Sequence, residues 1–543
     1  MEGERQALLE FKQGLIDKTD RLASWVSEDR NCGRWAGIVC DNITGHVHGI
    51  HLQGSSSPDL RGGYYCDRTR PLGGNLSTSL LDLKQLGHLD LSCNNFGGIQ
   101  VPQFIGSLTN LRYLNISASY FSGIIPPHLG NLSRLHVLSL GCFHESYEDT
   151  RMMNMQWLSN LRLLHHLDMS SVDLSTAIDW FQVINTLPSL TELHLSDCDL
   201  MDIHPHVPSL NITSLSLLDL SNNDLSSFMP QWIFSMTNLV SLDVSRCHFH
   251  SIIHDNMDGF RNLTSLKSLH VSENDFMNSS LVLKGLSSNL VSLMINSCGV
   301  SSSVLNSLHN LTSLRILDLS VNKLTKKIPK SVVDICNLRE IDLSYNDFGN
   351  ISLNYLLGDF LECKSHNGRS LPLEELDLTG SNISGTIPDF IGKLTSMRIL
   401  VLPSNRIYGP IPHWIGRLSS LEYLDLSFNR LDGSLPDELG YLSKLQTLKI
   451  TNNLLTGIIT DAHFGKLANL IYIYGGGNNL TLRPRFANWI PSFQLRELDL
   501  SSWGLGPQFP LWLHSQTRLI VLYISNTGIS SAMPSHFGNH SLN

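Results

Sequence analysis

No stretch of this 543-residue chain approaches the roughly 18 consecutive apolar residues that a membrane-spanning helix needs, so no bilayer crossing is expected. The opening residues, MEGERQALLEFKQ, lack the basic and then apolar character of a secretion leader. The chain as written is therefore expected to carry neither a route out of the cell nor an anchor. Positive charge is in short supply. Lys+Arg 38 against Asp+Glu 48 leaves a net charge of −10, which argues against nucleic acid as the main partner. Catalytic signatures are missing as well, with no GxSxG, HExxH or CxxC. GTIPDFIGKL is not a phosphate loop, because six residues separate its glycines rather than four and a leucine follows the lysine. No enzyme, cofactor or metal site is expected.

What the chain does have is period. Aligning on LxxLxxLxLSxN and following the last position gives Asn94, Ser119, Phe143, Val172, Cys198, Asn223, Cys247, Asn274 and Cys298, then Asn322, Asn346, Ser381, Asn405, Asn429, Asn453, Asn478, Trp503 and Thr527. Nine of the 17 intervals are 24 residues and four are 25. This is an α/β repeat solenoid of leucine-rich repeats, with one short strand per repeat stacked into a parallel concave sheet and an irregular, 3-10 convex side. In LEYLDLSFN, Leu424 and Leu426 alternate inward while Tyr423, Asp425 and Ser427 face out. The asparagine after the strand turns inward to satisfy backbone carbonyls, and cysteine is small enough to replace it. Cys198, Cys247 and Cys298 read as reduced residues of that ladder, against a rival reading as disulfide or metal ligands. In CHFHSIIHD, Cys247 and Phe249 point inward while His248 points out, so metal ligands would not converge. The Gly-Pro half of each repeat, as in SGTIPDFIGKLTSM, turns the chain onto the convex side, and Gly475 to Gly477 read as a flat patch of concave surface.

Residues 1–41 form a different unit, a cap over the first exposed core edge, with Leu8, Phe11 and Leu15 at helical spacing. Cys32 and Cys40 read as a disulfide of that cap, implying an oxidising compartment. Residues 42–93 make a first repeat with an insertion, Gln53 to Gly74, and about eighteen further repeats fill 83–543 without a C-terminal cap, as if part of a longer chain. The insertion mixes Tyr64 and Tyr65 with Arg68, a hot-spot composition that an inert loop can share. Cys363 could reach Cys336 on the convex side, whereas Cys66, Cys93 and Cys142 have no evident partner.

Two zones of outward residues are candidate ligand sites. The first carries His166, Asp168, Asp173, Glu192, His194, Asp197, Asp199, Asp219, Asp224, Asp243, His248 and His270. Its aspartates are simply repeat consensus, which favours a plain solvated face over a site. The second carries Ile399, Val401, Arg406, Tyr423, Phe428, Arg430, Tyr472, Tyr474 and Tyr523, where exposed aromatics and arginine favour binding. N-x-[ST] sequons mark potential glycans at Asn42, Asn75, Asn131, Asn211, Asn262, Asn278, Asn310, Asn350 and Asn539. Three more, at Asn115, Asn382 and Asn479, fall on or beside the concave strand and are expected to be less occupied.

The cap ERQALLEFKQGL…LASW…C…W.GIVC, the LxGxIPxxLGNLxxL repeats, MQWLSNL and LPSLTELHLSDCDL together resemble plant receptor-like proteins, of the type similar to the fungal xylanase (elicitor) receptors. The resemblance implies an extracellular module that binds a protein or peptide ligand and signals defence through a partner receptor kinase. It also implies a leader, a non-repeat island, a membrane helix and later repeats, none of which this sequence contains, and a doubled cap cysteine that is here Cys32-Gly33. A soluble inhibitor of a wall-degrading enzyme, a truncated decoy and a non-functional remnant are the alternatives.

Overall fold

The computed structural model describes residues 2–27, 32–58, 64–66, 69–141, 150–201, 209–225, 227–251, 259–276, 285–325, 327–328, 335–358, 371–486 and 488–534. It falls into two compact units, residues 1–274 and 275–543. In each unit the three-residue strands of successive repeats pair in parallel and in register. In the first, His166–Asp168 pairs with Glu192–His194, which pairs with Leu217–Asp219. In the second, Ile399–Val401, Tyr423–Asp425, Thr447–Lys449 and Tyr472–Tyr474 follow one another. In most of these strands the middle residue is buried and its neighbours are partly exposed. That is the two-residue alternation the leucine spacing implies. Each buried leucine contributes roughly 1.5–3 kcal/mol, but only because the next repeat covers it.

The convex side is built from short 3-10 turns such as Asp389–Lys393, His413–Arg417 and Asp437–Tyr441. Each follows a proline in extended conformation, Pro388, Pro412 and Pro436. A proline there gives up no hydrogen bond, because the first turn of a helix leaves its N–H groups unpaired anyway. Between strand and turn runs a second, narrower set of parallel pairs, including Ser384–Gly385 with Arg406–Gly409 and Arg430–Leu431.

The ladder position is a hydrogen-bond hub. Asn223 Nδ2 donates to the carbonyls of Leu195, Leu220 and Ser221 at 2.8, 2.8 and 3.1 Å. Its Oδ1 accepts the N–H groups of Cys198 and Leu200 at 3.1 and 2.9 Å. Cys198, Cys247 and Cys298 are buried thiols outside any disulfide, as the ladder reading requires. Cys198 Sγ donates to Met169 O and Ser196 O at 3.1 and 3.4 Å, and Cys247 Sγ donates to Leu220 O and Ser245 O. A thiol offers no strong acceptor, and the backbone compensates. Leu174 N donates to Cys198 O, Phe276 N to Cys298 O and Phe348 N to Ser381 O. The residue before the ladder position is left-handed, as at Asn222, Phe428 and Asn452, with φ of 56, 53 and 53°. Gly477 holds that same place at φ 74°.

Three expectations change at the cap and in the glycines. The helix covers Glu2–Gly14 and buries Ala7, Leu8 and Phe11, but Leu15 leaves it to start a strand, Leu15–Asp17, paired antiparallel with Leu72–Gly74. A Cβ on Gly14 would come within 2.7 Å of Asn75 O, so the chain turns where that approach is tightest. Phe11, Trp25 and Trp35 then form the cap's own core, Trp25 stacked on Trp35 at 5.7 Å and Phe11 tilted against Trp25. Cys66 and Cys93, for which the sequence offers no partner, are disulfide-bonded to each other, joining the insertion to the residue before ladder Asn94. Arg21 ties the same corner, donating to Asn94 Oδ1 and to the carbonyls of Leu52, Gln53 and Arg70. Gly475 and Gly476 are not a flat surface patch. Both are buried, and an added Cβ would run into the Trp503 ring and the Asp499 carboxylate. Cys40 and Cys336 are each disulfide-bonded. The side chain of Cys32 and all of Cys142 and Cys363 lie outside the described residues.

Replacing Asn223 by Ala removes an acceptor from two buried N–H groups and a donor from three carbonyls, so we expect a loss of about 3 kcal/mol or more in urea unfolding. Asn223→Cys keeps one inward donor for the carbonyls and should cost clearly less. Equal losses in the two variants would show that inward donation does not set the stability.

Candidate functional site

In each strand the first and third residues point away from the core, so consecutive repeats write two parallel rows. In the second unit one row reads Ile399, Tyr423, Thr447, Tyr472, Glu497, Val521 and the other Val401, Asp425, Lys449, Tyr474, Asp499, Tyr523. Register alone brings Tyr423, Tyr472 and Tyr474 together. Lys449, which leucine spacing gave no reason to single out, joins them. Its ammonium lies 5.2 Å from the Tyr423 ring centre and 5.5 Å from that of Tyr474. Asp425 Oδ2 is 3.9 Å from the same nitrogen. The Tyr472 and Tyr474 rings stack, and Tyr474 donates its O–H to Glu497 Oε2 at 2.6 Å. Burial, and then that carboxylate, hold the Tyr474 phenol well above its ordinary pKa. The cluster is a preset cation–π and hydrogen-bonding surface.

Other candidates in this zone separate from the cluster. Arg406 and Arg430 belong to the second, narrower set of strands, beside Ser384 and Tyr408. Phe428 occupies the left-handed position before Asn429 and is 55% exposed. Tyr523 is equally exposed, on the strand beyond Asp499.

Next to Ile399 the outward rows turn acidic. Glu375 pairs across strands with Glu340, and Asp377 with Asp342. Burial first, then the charges of Glu340, Asp377 and Asp342, push Glu375 up to about 7, with Arg398 opposing. Asp377 rises to about 6, mainly by burial, although Thr379 donates to it through both its N–H and its hydroxyl.

In the first unit the aspartates of the LDLS motif are chiefly structural. Asp219 Oδ1 accepts the Ser221 N–H and hydroxyl at 3.0 and 2.7 Å, and Asp168 and Asp243 do the same for Ser170 and Ser245. The second oxygen is left for a neighbouring strand. His270 Nδ1 lies 3.2 Å from Asp243 Oδ2, and His194 Nδ1 3.9 Å from Asp219 Oδ2. His166 Nδ1 is 2.8 Å from Glu192 Oε2. Burial opposes charge on His194, but Asp219, Asp168 and Glu192 together outweigh it and raise its pKa. Burial likewise opposes charge on Asp243, and His270 and Ser245 hold its carboxyl below the usual range. Asp173, Asp197, Asp199, Asp224 and His248 fall outside these strands, and His248 meets Asp224 at 3.3 Å. Against the expectation of no metal ligands, His166, Glu192 and His194 bring their donor atoms within 4.8 Å of one another.

Tyr64 and Tyr65 form a strand, Tyr64–Cys66, paired antiparallel with Ser56–Pro58, while Arg68 lies outside the described residues. Asn42, Asn75, Asn131, Asn211, Asn262, Asn310 and Asn350 are exposed, and Asn278 and Asn539 lie outside the described residues. Asn115 accepts the Ser117 N–H and hydroxyl, and Asn382 Nδ2 donates to Asp347 at 2.7 Å, so both amides are engaged. Asn479 is exposed, on a strand of the narrower set. Among the described residues, no helix is long and apolar enough to cross a membrane.

Ladder, paired strands and capped first edge define a leucine-rich-repeat protein. A profile described as "Leucine-rich repeat region" matches residues 69–299 and 370–531, and one described as "Leucine rich repeat N-terminal domain" matches residues 1–41. The chain belongs to the leucine-rich-repeat receptor-like protein family. Receptor-like protein EIX1 of Solanum lycopersicum is 38% identical over 99% of this chain and 51% of its own length, and Receptor-like protein EIX2 of the same plant is 36% identical over the same shares. The chain thus spans about half the length of these relatives. Among solved structures, the Arabidopsis receptor kinase HAESA, in complex with the peptide hormone IDA and the co-receptor SERK1, superposes with a TM-score of 0.56 at 24% identity, covering 100% of this chain and 89% of that one. That likeness shows a shared fold.

The acidic pair makes stability depend on pH in a defined direction. Raised carboxyl pKa values mean that the folded chain holds protons the unfolded chain has released. Stability should therefore fall as pH rises from about 4 through about 7, the window between the ordinary and the raised values. Thermal midpoints at pH 5 and pH 7.5 measure it. Glu375→Gln should flatten the dependence, and an unchanged slope would remove Glu375 as its source.

Proposed function

We propose that this chain is the ligand-recognition part of an extracellular plant receptor-like protein, binding a protein or peptide elicitor and signalling defence through a partner receptor kinase. The observation that carries the reading is the Tyr423–Lys449–Tyr474–Tyr472 cluster, half-exposed aromatic and cationic groups held in register on consecutive strands. Tyr is enriched where binding energy concentrates, and here the rings are immobilised before any ligand arrives. The rows run across the strands, which suits an extended segment laid over several repeats. Family membership supports the receptor context and the extracellular side of the membrane.

The chain, secreted with an added leader, would be used to capture proteins from microbial culture filtrate and plant wall extract. Tyr423→Ala with Tyr474→Ala should weaken capture at least about tenfold, the size expected for central aromatic anchors. Equal capture by both would place the site elsewhere, in the Gln53–Gly74 insertion or the first-unit histidine zone. The extracellular assignment has its own check. Mass spectrometry after enzymatic glycan release should find occupancy among Asn42, Asn75, Asn131, Asn211, Asn262, Asn310 and Asn350, and little at Asn115 or Asn382. Protein from the native tissue bare at all seven would count against passage through the secretory route.

A further inference from the structure

We propose that His166, Glu192 and His194 form a binding site for a first-row divalent metal ion on the outward face of the first unit. The inference does not rest on the ligand reading for the second unit. The three side chains come from two adjacent strands whose register fixes them. His166 pairs directly with Glu192, and His194 follows two residues later on the same face. Their donor atoms lie within 4.8 Å of one another, the imidazole rings are 5.4 Å apart and tilted by 47°, and His166 Nδ1 is already 2.8 Å from Glu192 Oε2. Around a tetrahedral ion with bonds of about 2.0–2.2 Å, donor atoms sit roughly 3.3–3.5 Å apart. Small side-chain rotations close the difference. These side chains are free to make them, being 26, 46 and 28% exposed for His166, Glu192 and His194, while ladder bonds hold the backbone beneath.

The surroundings fit a cation. Asp219 stands 3.9 Å from His194 Nδ1, beyond hydrogen-bond reach but close enough to add negative charge, with its other oxygen anchored by Ser221. Asp168, directly across from His194, adds negative charge and is anchored likewise by Ser170. Two imidazoles and one carboxylate suit Zn²⁺ or Cu²⁺, whereas Mg²⁺ and Ca²⁺ require mostly oxygen ligands. Three protein donors leave at least one coordination position open toward the face where a protein ligand could add a donor of its own.

The test uses the whole chain, stripped with chelator and titrated with Zn²⁺ by calorimetry, then with Co²⁺ to read the visible bands of a tetrahedral site. One equivalent of metal should bind, and Zn²⁺ should raise the thermal midpoint. The double variant His166→Gln, His194→Gln should lose at least about tenfold in affinity and lose the midpoint shift. Glu192→Gln, whose amide oxygen can still accept from His166, should weaken binding far more than it moves the metal-free midpoint, which separates ligation from folding. His248→Gln, whose ring meets Asp224 rather than the proposed ligands, should change nothing. Failure of the unmodified chain to bind Zn²⁺, or equal binding by it and the double variant, would overturn the site.

Discussion

The carbonyl groups at the end of each strand point into an interior that water does not reach, and leaving them unpaired would cost about as much as the burial of a leucine returns. The side-chain amide at the ladder position removes that cost, three donations and two acceptances at a time. Everything else in either unit depends on this. Because each amide bonds to its own repeat and the one before, the strand-to-strand step is fixed by hydrogen bonds rather than by packing alone. The left-handed residue before it, which costs a side chain of order 1 kcal/mol or more, is tolerated for the same reason. Serine and cysteine can take the place because they too donate inward. The missing acceptor is replaced by their own backbone carbonyl, the same answer at Cys198, Cys298 and Ser381.

A fixed step has a chemical consequence on the opposite face. Residues 24 to 39 apart in sequence become direct neighbours, so a pair such as His166 and Glu192, or Lys449 and Tyr474, is held by a backbone neither residue helps to define. The consensus aspartate links the two layers. One oxygen closes the turn over the following serine, and the other is available to whatever a neighbouring strand presents, a histidine at Asp219 and Asp243, a lysine at Asp425. A structural residue thereby sets the polarity of the surface without being spent on it.

This division explains what could be read in the sequence and what could not. Period, inward leucines and the ladder role of Cys198, Cys247 and Cys298 depend on spacing within one repeat, and spacing is visible in one dimension. The Cys66–Cys93 bond is not, because it depends on where an insertion returns to the first strands. Nor is the metal-binding geometry of His166, Glu192 and His194, since the alignment lists their positions but not which atoms converge. Arg406 and Arg430 misled for a different reason. They follow the ladder asparagine by one residue, and there the chain has already left the main sheet for the narrower one. Gly475 and Gly476 resemble an open patch until Trp503, at the ladder position of the next repeat, is seen to fill the space, its Nε1 donating to Gly475 O at 2.8 Å.

Trp503 also shows how far the repeat can bend its own rule. An indole cannot make the amide's three donations, yet it supplies one N–H inward and occupies volume that the missing side chain of Gly475 in the preceding repeat releases. The exchange is local, between neighbours. Smaller departures need no such partner, since Cys247 and Ser381 each stand between asparagine ladder positions. A side chain as large as an indole at an inward position calls for a smaller neighbour, whereas outward positions such as Tyr423 or Glu192 carry no such tie. The outward face is thus free to diversify residue by residue, while the interior accepts only what its hydrogen bonds and volume allow. That asymmetry is what a recognition surface needs from its scaffold.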